Sequence, residues 1–264
     1  MLLQNKTAVI YGAGGAIGGA VARAFAREGA KVFLTGHTAG SLKPVADDII
    51  AEGGWADVAE VDAMNEHEVN KHFRSMLEKV EQVDISFNAI GIPQTGVQGI
   101  PLTELSPESF TLPILSYTTA HFLTAKAAAR HMTEHESGVI LTLTATPSAL
   151  AAPLVGGMAP AWAAIESFTR TLARELGTYG IRVVCLRPDG IPETDTITEV
   201  FGLHARGAGM PSHKEFQSLM ESMTLLKRLP TLAEVADTAV FIASGRASAI
   251  TGTVINLSCG SVMD

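Results

Sequence analysis

Tyr117 and His121 are the two side chains in this sequence whose types and spacing suit proton transfer. They stand four residues apart in a segment with helical periodicity, so they can meet on one helix face. An unassisted tyrosine titrates near ~10, and acid–base work near neutrality needs a neighbour that tunes it. The spacing therefore predicts a tyrosine proton donor tuned by the histidine, if this face borders a cleft. The alternative is an aromatic packing residue beside a half-exposed histidine.

A second chemical feature is the glycine cluster YGAGGAIGG at residues 11–19, which follows a β-branched run and opens a helical pattern. Glycines there let backbone amides face a pyrophosphate, and a helix N-terminus adds partial positive charge. The spacing differs from G-x-G-x-x-G, because Ile17 stands at the sixth position. Tight strand–helix turns also need glycine for packing. Joined to the regular alternation of strands and helices, the cluster predicts a binding site for a dinucleotide phosphate.

Short β-branched runs alternate with helical patterns along the chain, which predicts a single-domain, Rossmann-like α/β fold over residues 1–264. The sheet is expected to be doubly wound and parallel, with about seven strands flanked by helices. The strands are predicted at 7–12, 31–36, 59–62, 83–91, 138–146, 181–188 and 253–259. The main helices are predicted at 16–29, 42–52, 117–132, 161–176 and 232–244. An irregular stretch at 189–211 follows the end of a strand, where ligands bind in such sheets, and is a candidate lid.

The composition indicates the kind of partner and compartment to expect. A net charge of −8 without a basic run argues against nucleic-acid binding. Cys185 and Cys259 both lie in apolar, strand-like runs, which predicts two buried free thiols and a reducing compartment. The N-terminal residues lack a secretory pattern, and no apolar run reaches ~18 residues. We therefore expect a soluble, cytoplasmic protein that does not bind membranes, and we predict no metal site.

Several separate stretches resemble the short-chain dehydrogenase/reductase family. Residues 11–18, YGAGGAIG, resemble the family's opening motif T-G-x-x-x-G-x-G, with Ala16 in place of the middle glycine. Residues 86–92, SFNAIGI, resemble its V-N-N-A-G-I, with Ala89 in place of the second Asn. Two long stretches resemble the family's later helices and strands, at 167–188 and 228–260. Because these stretches span the chain, the resemblance supports the same fold that the alternation predicts.

The resemblance implies that the chain binds a nicotinamide dinucleotide. The residues that it assigns to the cofactor are Gly12, Gly14, Gly15, Ala16, Ile17, Gly18, His37, Asp62, Asn88, Gly91, Pro188 and Thr194. An acid at the end of the second strand would bind the ribose 2′-hydroxyl of NAD, but Gly36 and His37 stand there. We therefore expect NADP to be preferred over NAD. The methyl group of Ala16 takes up room beside the pyrophosphate, so we expect weak binding.

The resemblance also shows that the family's four catalytic residues are replaced. Its Ser, Tyr, Lys and Asn fall at Ala145, Met158, Trp162 and Tyr117. Met158 has no exchangeable proton, Ala145 donates no hydrogen bond, and Trp162 carries no positive charge. The resemblance thus implies an NAD(P)-dependent oxidoreductase acting on carbonyl or alcohol groups, with atypical or impaired catalysis.

Two other functions stay open at this point. The chain could be a non-catalytic protein that binds NAD(P) or another ligand, or a partner subunit of an active relative. It could also be a non-redox enzyme, such as an isomerase or lyase, that uses the same cleft. The residues at the catalytic positions predict a small apolar substrate or ligand. In the family, the helices at 120–132 and 161–176 pair across a two-fold axis, which implies a homo-oligomer, either a tetramer or a dimer.

Overall fold

A seven-stranded parallel sheet forms the centre of the molecule, in the order β3-β2-β1-β4-β5-β6-β7. The computed structural model describes residues 1–263. The strands are β1 Thr7–Tyr11, β2 Lys31–Gly36, β3 Trp55–Glu60, β4 Ile85–Asn88, β5 Gly138–Leu143, β6 Ile181–Pro188 and β7 Thr253–Leu257. The predicted single-domain, Rossmann-like α/β fold is confirmed.

Helices cover both faces of the sheet. They are α1 Ala16–Arg27, α2 Ala39–Ala51, α3 Glu66–Leu77, α4 Pro107–Glu134, α5 Met158–Leu176, α6 Asp195–Gly207, α7 His213–Met223 and α8 Leu232–Ala243. Side chains alternate across each strand, so Val9 packs in the cluster with α3, α4 and α5, whereas Ile10 packs in the cluster with α1, α2 and α8. Burial on both faces explains why the inner strands are almost continuously apolar. Among the described residues, no helix has the length and apolar character needed to cross a membrane.

The strand order creates a crevice between β1 and β4. The chain adds β2 and β3 on one side of β1, and then returns to place β4 on the other side. Tyr11 and Asn88 are paired in register at the carboxyl ends of these two strands. Ligands of open parallel sheets bind where the strand order reverses in this way. The fold therefore places the glycine cluster, which follows Tyr11, directly at the expected binding crevice.

The prediction of an irregular stretch at 189–211 is wrong in its second half, because that half forms α6. The Thr194 hydroxyl accepts a hydrogen bond from the Ile197 amide and so begins this helix. Phe201, His204 and Ala205 lie on its buried face. A second helix, α7, follows, so residues 195–223 form a helical pair, which we call the α6–α7 pair.

Smaller differences concern the ends of elements. The third strand is Trp55–Glu60 rather than 59–62, and its half-exposed residues reflect its place at the sheet edge. Helix α4 begins at Pro107, where Ser106 accepts a hydrogen bond from the Ser109 amide, rather than at 117. Cys259 lies beyond β7 with φ +53° and is half-buried, so only Cys185 is a buried thiol as predicted.

Candidate functional site

A cavity of about 790 Å³ lies over the carboxyl ends of the strands. It extends from the glycine cluster to the α6–α7 pair. Ten of the twelve residues assigned to the cofactor line it, namely Gly12, Gly14, Gly15, Ala16, Ile17, His37, Asp62, Gly91, Pro188 and Thr194. Ala145, Met158, Trp162 and Tyr117 also line it. One cavity therefore joins the residues expected to bind a dinucleotide to the four positions expected to carry the chemistry.

The glycine cluster is packed too tightly for larger residues at two positions. Gly12 has φ +77°, and a Cβ atom on it would lie 2.5 Å from the Ala89 carbonyl oxygen. A Cβ on Gly18 would lie 2.3 Å from the Gly12 carbonyl oxygen. Gly18 does not border the cavity within the described lining, so its role is to let α1 approach the loop. Helix α1 begins at Ala16 with no side-chain cap from the described residues. The backbone N–H groups of its first turn can therefore donate hydrogen bonds to an anion.

The segment after β2 is where a dinucleotide's adenine ribose is expected. His37 is exposed and borders the cavity. The backbone amide of Ala39 donates a 2.8 Å hydrogen bond to Glu60 Oε1, at the end of β3. This carboxylate comes from the neighbouring strand and was not foreseen from the sequence. Its bond occupies one backbone amide that would otherwise be available to a phosphate.

Asn88 does not border the cavity, but it shapes the segment that does. Its side-chain nitrogen donates to Thr124 Oγ1 on α4 at 2.9 Å, and its side-chain oxygen accepts from the Ile90 amide at 3.1 Å. Both bonds are buried or partly buried. Asn88 therefore fixes the turn that carries Ile90 and Gly91, both of which line the cavity.

The positions of the family's catalytic residues form an apolar wall. Met158 is 1 % exposed and packs with Tyr117, Val97 and Ile165, while the partly buried Trp162 packs against this cluster. The ring centroids of Tyr117 and Trp162 are 6.4 Å apart. Tyr117 contributes the one hydroxyl of this cluster, since the other members described are hydrocarbon, thioether or indole groups.

Tyr117 and His121 are neighbours, but their side chains do not face the same space. His121 Nδ1 donates to the backbone carbonyl of Tyr117 at 2.9 Å, and its ring is buried away from the cavity lining. Burial lowers the pKa of His121 to about 4, so this histidine is neutral near pH 7. Burial raises the pKa of Tyr117 to about 12. The structure thus brings Tyr117 to the cavity and leaves His121 inside the helix layer.

A row of three buried polar side chains crosses the cavity wall beside Tyr117. Gln98 Nε2 donates to Gln94 Oε1 at 2.6 Å, and His204 Nε2 donates to Gln98 Oε1 at 3.1 Å. Gln94 Nε2 in turn donates to the Ile92 carbonyl at 2.5 Å. Sequence reasoning missed these residues. The four-residue spacing of the glutamines and the place of His204 on the apolar face of α6 were the available signals.

The charges around the cavity are all negative. Its described lining contains the carboxylates Asp62 and Asp189 and neither lysine nor arginine. Asp189 is buried and accepts hydrogen bonds from the Gly190 amide and the Ser261 hydroxyl. An anionic substrate group would therefore meet no cationic side chain on this lining.

A buried ion pair lies behind the cavity wall. Arg187 Nη1 lies 3.4 Å from Glu166 Oε2, and both side chains are less than a tenth exposed. Glu166 also accepts hydrogen bonds from Thr144, at 3.2 Å, and from Ser148. These bonds tie α5 to the segment that carries Ala145. The ion pair and its hydrogen bonds therefore hold that segment in place.

A group of residues that could hold a metal ion lies outside the cavity, at the carboxyl end of α4. It consists of His131, Glu134 and His135. His131 is buried, and its Nε2 atom accepts a 3.3 Å hydrogen bond from the Val83 amide. That bond occupies a lone pair which a metal would need. The group is absent from the described cavity lining and plays no part in the site.

Comparisons with known proteins agree with the fold. The sequence pattern of the family described as "Enoyl-(Acyl carrier protein) reductase" matches residues 12–261. An uncharacterized oxidoreductase of Bacillus subtilis (strain 168) is 31% identical, over 98% of this chain and 91% of the relative. The 7alpha-hydroxysteroid dehydrogenase of Escherichia coli (strain K12) is 28% identical, over 99% of this chain and 96% of the relative. The structure of an NAD⁺-bound xylitol dehydrogenase superposes with a TM-score of 0.93 at 22% identity, covering 98% of this chain and 100% of the other.

Proposed function

Because the chain belongs to the short-chain dehydrogenase/reductase family, we propose that it is an NAD(P)-dependent oxidoreductase with Tyr117 as its proton donor. The observation that carries this proposal is the single cavity lined by both the glycine cluster and Tyr117. A bound reduced nicotinamide supplies hydride to a carbonyl carbon. The protein must then place a hydrogen-bond donor at the carbonyl oxygen.

The cofactor cradle fits a dinucleotide, with NADP preferred and bound weakly. Gly12 and Gly18 keep the loop packed closely against Ala89 and α1, and the first turn of α1 has no side-chain cap from the described residues, which suits a pyrophosphate there. His37 stands where an acid would favour NAD, and this supports NADP. The Ala16 methyl group and the lack of lysine or arginine along the described lining support weak binding.

Tyr117 suits reduction better than oxidation. With its pKa near 12, the hydroxyl keeps its proton at neutral pH, so it can donate to a carbonyl oxygen but cannot take a proton from an alcohol. No lysine or arginine among the described lining residues would stabilise a tyrosinate. A full proton transfer is therefore unfavourable, and we expect turnover to be slower by roughly 10²–10⁴ than with an efficient general acid.

The test compares Tyr117→Phe with Tyr179→Phe. Tyr179 is 45% exposed in the turn before β6, so it serves as a matched control. Binding of NADPH and NADH is measured by fluorescence titration, and NADPH oxidation is measured with a panel of apolar ketones. We expect Tyr117→Phe to abolish reduction while dinucleotide binding and the control variant stay unchanged. Absence of binding of either dinucleotide at millimolar concentration would contradict the proposal.

A non-catalytic protein is the second candidate, and a specific observation favours it. Ala145, Met158 and Trp162 leave an apolar wall where the family has its Ser, Tyr and Lys. Such a wall suits the capture of an apolar ligand without reaction, alone or as a partner subunit of an active relative. This candidate predicts dinucleotide or ligand binding without turnover by the unaltered protein.

We also propose that the protein assembles as a homo-oligomer, either a tetramer or a dimer. Helix α4 exposes large apolar side chains, among them Leu115 at 61% and Phe122 at 49%. The Phe122 ring lies 6.4 Å from that of Phe168 on α5, so the apolar surface extends over both helices. Exposed apolar surface of this kind is suited to a contact between identical subunits.

A further inference from the structure

One carboxylate in the cavity wall is buried without a cationic partner. Asp189 is 6 % exposed and lines the cavity, and it takes part in none of the ion pairs formed within residues 1–263. Its oxygens accept hydrogen bonds from the Gly190 amide, at 2.7 Å, and from the Ser261 hydroxyl. These two neutral donors hold the carboxylate in place but do not neutralise its charge, which is costly in an apolar surrounding.

Asp189 lies beside the segment that carries Ala145. Strands β5 and β6 are parallel neighbours with Leu143 paired to Leu186, and the Thr144 amide donates to the Leu186 carbonyl at 2.9 Å. Ala145 and Asp189 therefore follow adjacent strand ends, and both line the cavity. The negative charge is thus close to the positions expected to carry the chemistry.

A negative charge at this place is unfavourable for the reduction of a carbonyl group. Hydride addition to a ketone moves electrons onto oxygen, and the alkoxide would form next to a carboxylate, with no lysine or arginine on the described lining to stabilise it. Hydride addition to an iminium ion has the opposite requirement. The new C–H bond forms at carbon and the π electrons move to nitrogen, so the cation becomes a neutral amine without any proton transfer. The hydride comes from a reduced nicotinamide dinucleotide, which is oxidised.

The other side chains at this end of the cavity also suit an organic cation. The rings of Tyr117 and Trp162 both line it, with their centroids 6.4 Å apart. Aromatic rings attract cations through the negative charge of their faces. Met158 adds a polarisable thioether to the same wall. None of these three side chains carries a positive charge that would repel the ligand.

We propose that this site binds organic cations and that its substrates are iminium ions, with Asp189 as the residue that selects the positive charge. The reduction rests on the proposed function, because a nicotinamide dinucleotide must supply the hydride. The binding of the cation does not, since Asp189 and the aromatic rings belong to the chain itself. An iminium substrate also accounts for Ala145, Met158 and Trp162, because its reduction needs no proton donor at these positions.

The binding experiment uses three bicyclic compounds of the same shape, with the cofactor left out. N-methyl-3,4-dihydroisoquinolinium is the cation, 3-methyl-1,2-dihydronaphthalene is its neutral isostere, and 3,4-dihydro-2-naphthoate is the corresponding anion. Binding to the full-length protein is measured by calorimetry at pH 7.5. The cation should bind more tightly than the anion by about tenfold or more, because only the cation is attracted by the buried carboxylate. The neutral isostere reports the apolar contacts alone.

Substitution of single carboxylates locates the charge that the cation meets. Asp189→Asn removes the charge and keeps a side chain of the same shape. It should weaken binding of the cation about tenfold or more, while the neutral isostere stays within about twofold and so reports an intact cavity. Asp237→Asn is the control, since Asp237 is an exposed residue of α8 outside the described lining. If Asp62→Asn removes cation binding and Asp189→Asn does not, the assignment to Asp189 is overturned.

Turnover tests the substrate class. With NADPH, the unaltered protein should reduce the iminium ion to its tertiary amine faster than it reduces 1-tetralone, a ketone of similar size, after the uncatalysed rates are subtracted. Equal or faster reduction of 1-tetralone overturns the substrate class. A protein that binds the cation no better than the anion, or whose cation affinity survives Asp189→Asn, overturns the whole inference. Failure to bind a dinucleotide, alongside cation binding that depends on Asp189, removes the proposed function and the iminium reduction but supports the cation site.

Discussion

Replacing Gly18 with alanine should damage the protein far more than replacing the adjacent Gly19. A Cβ on Gly18 would lie 2.3 Å from the Gly12 carbonyl oxygen and 2.9 Å from its carbon, and backbone atoms there can yield only if the loop moves by about 1 Å. Such overpacking costs about 1–3 kcal/mol, while better helix propensity returns at most about 1 kcal/mol. We expect a net loss of about 1 kcal/mol, or about 2–4 °C in Tm.

Gly19→Ala supplies the matched control on the same helix. Its Cβ would meet the end of the flexible Arg23 side chain at 3.0 Å and the Ala13 oxygen at 3.2 Å, so small adjustments suffice. Its stability should be unchanged or raised by up to about 1 kcal/mol. Urea denaturation measures both variants, and dinucleotide titration should show a further loss for Gly18→Ala, because the loop that faces the phosphate has moved. Equal stability of the two variants would refute the packing described for this loop.

The remaining predictions concern acid stability, restored chemistry and assembly. Burial lowers the pKa of His121 to about 4, from ~6.5 in the unfolded chain. The stability that the neutral ring contributes to the folded state is therefore fully present above pH 6.5 and is lost as the pH falls towards 4. Urea denaturation should show about 2 kcal/mol less stability at pH 5 than at pH 7.5 from this residue, and His121→Phe should flatten the slope. Combining Ala145→Ser, Met158→Tyr and Trp162→Lys should raise ketone reduction by NADPH about 10²-fold, and no rise despite cofactor binding would count against the assigned positions. Light scattering at micromolar concentration should give a tetramer or dimer, and Phe122→Lys should shift it towards smaller species, whereas a monomeric unaltered protein would contradict the assembly.

The sheet could be predicted because its strands are buried on both faces. Each strand therefore appears in the sequence as a short, continuous apolar run, a pattern that few other structures produce. The exception was β3, where an edge position leaves residues such as Asp57 half-exposed and interrupts the run. Helix α6 was missed for a different reason. Its buried face is short, and Gly202 and Gly207 weaken the helical pattern, whereas the Thr194 cap and the packing of Phe201 supply the stability.

The site could be predicted only where it depends on local backbone geometry. The glycine cluster is one continuous segment, so its place at the end of β1, beside the cavity, could be predicted from the sequence. The polar row is different, because Gln98 and His204 are 106 residues apart and meet only through the packing of α6. The spacing of Tyr117 and His121 correctly places them one turn apart. It could not show that the His121 ring bonds to the backbone, a choice set by the packing around α4.

The loose attachment of α7 has a consequence for the speed of ligand exchange. All 11 residues of α7 are described and none is fully buried, and its Phe216 ring rests on Phe201 and His204 of α6 at 5.4 and 5.5 Å. A helix held by so few buried contacts opens with a much smaller free energy than the whole domain. The rates of ligand entry and ligand exit then both scale with the fraction of molecules in which α7 is open, so the two rates change together. Substitutions that loosen or tighten α7 can therefore alter residence time by large factors while the dissociation constant, fixed by the closed cavity, changes little.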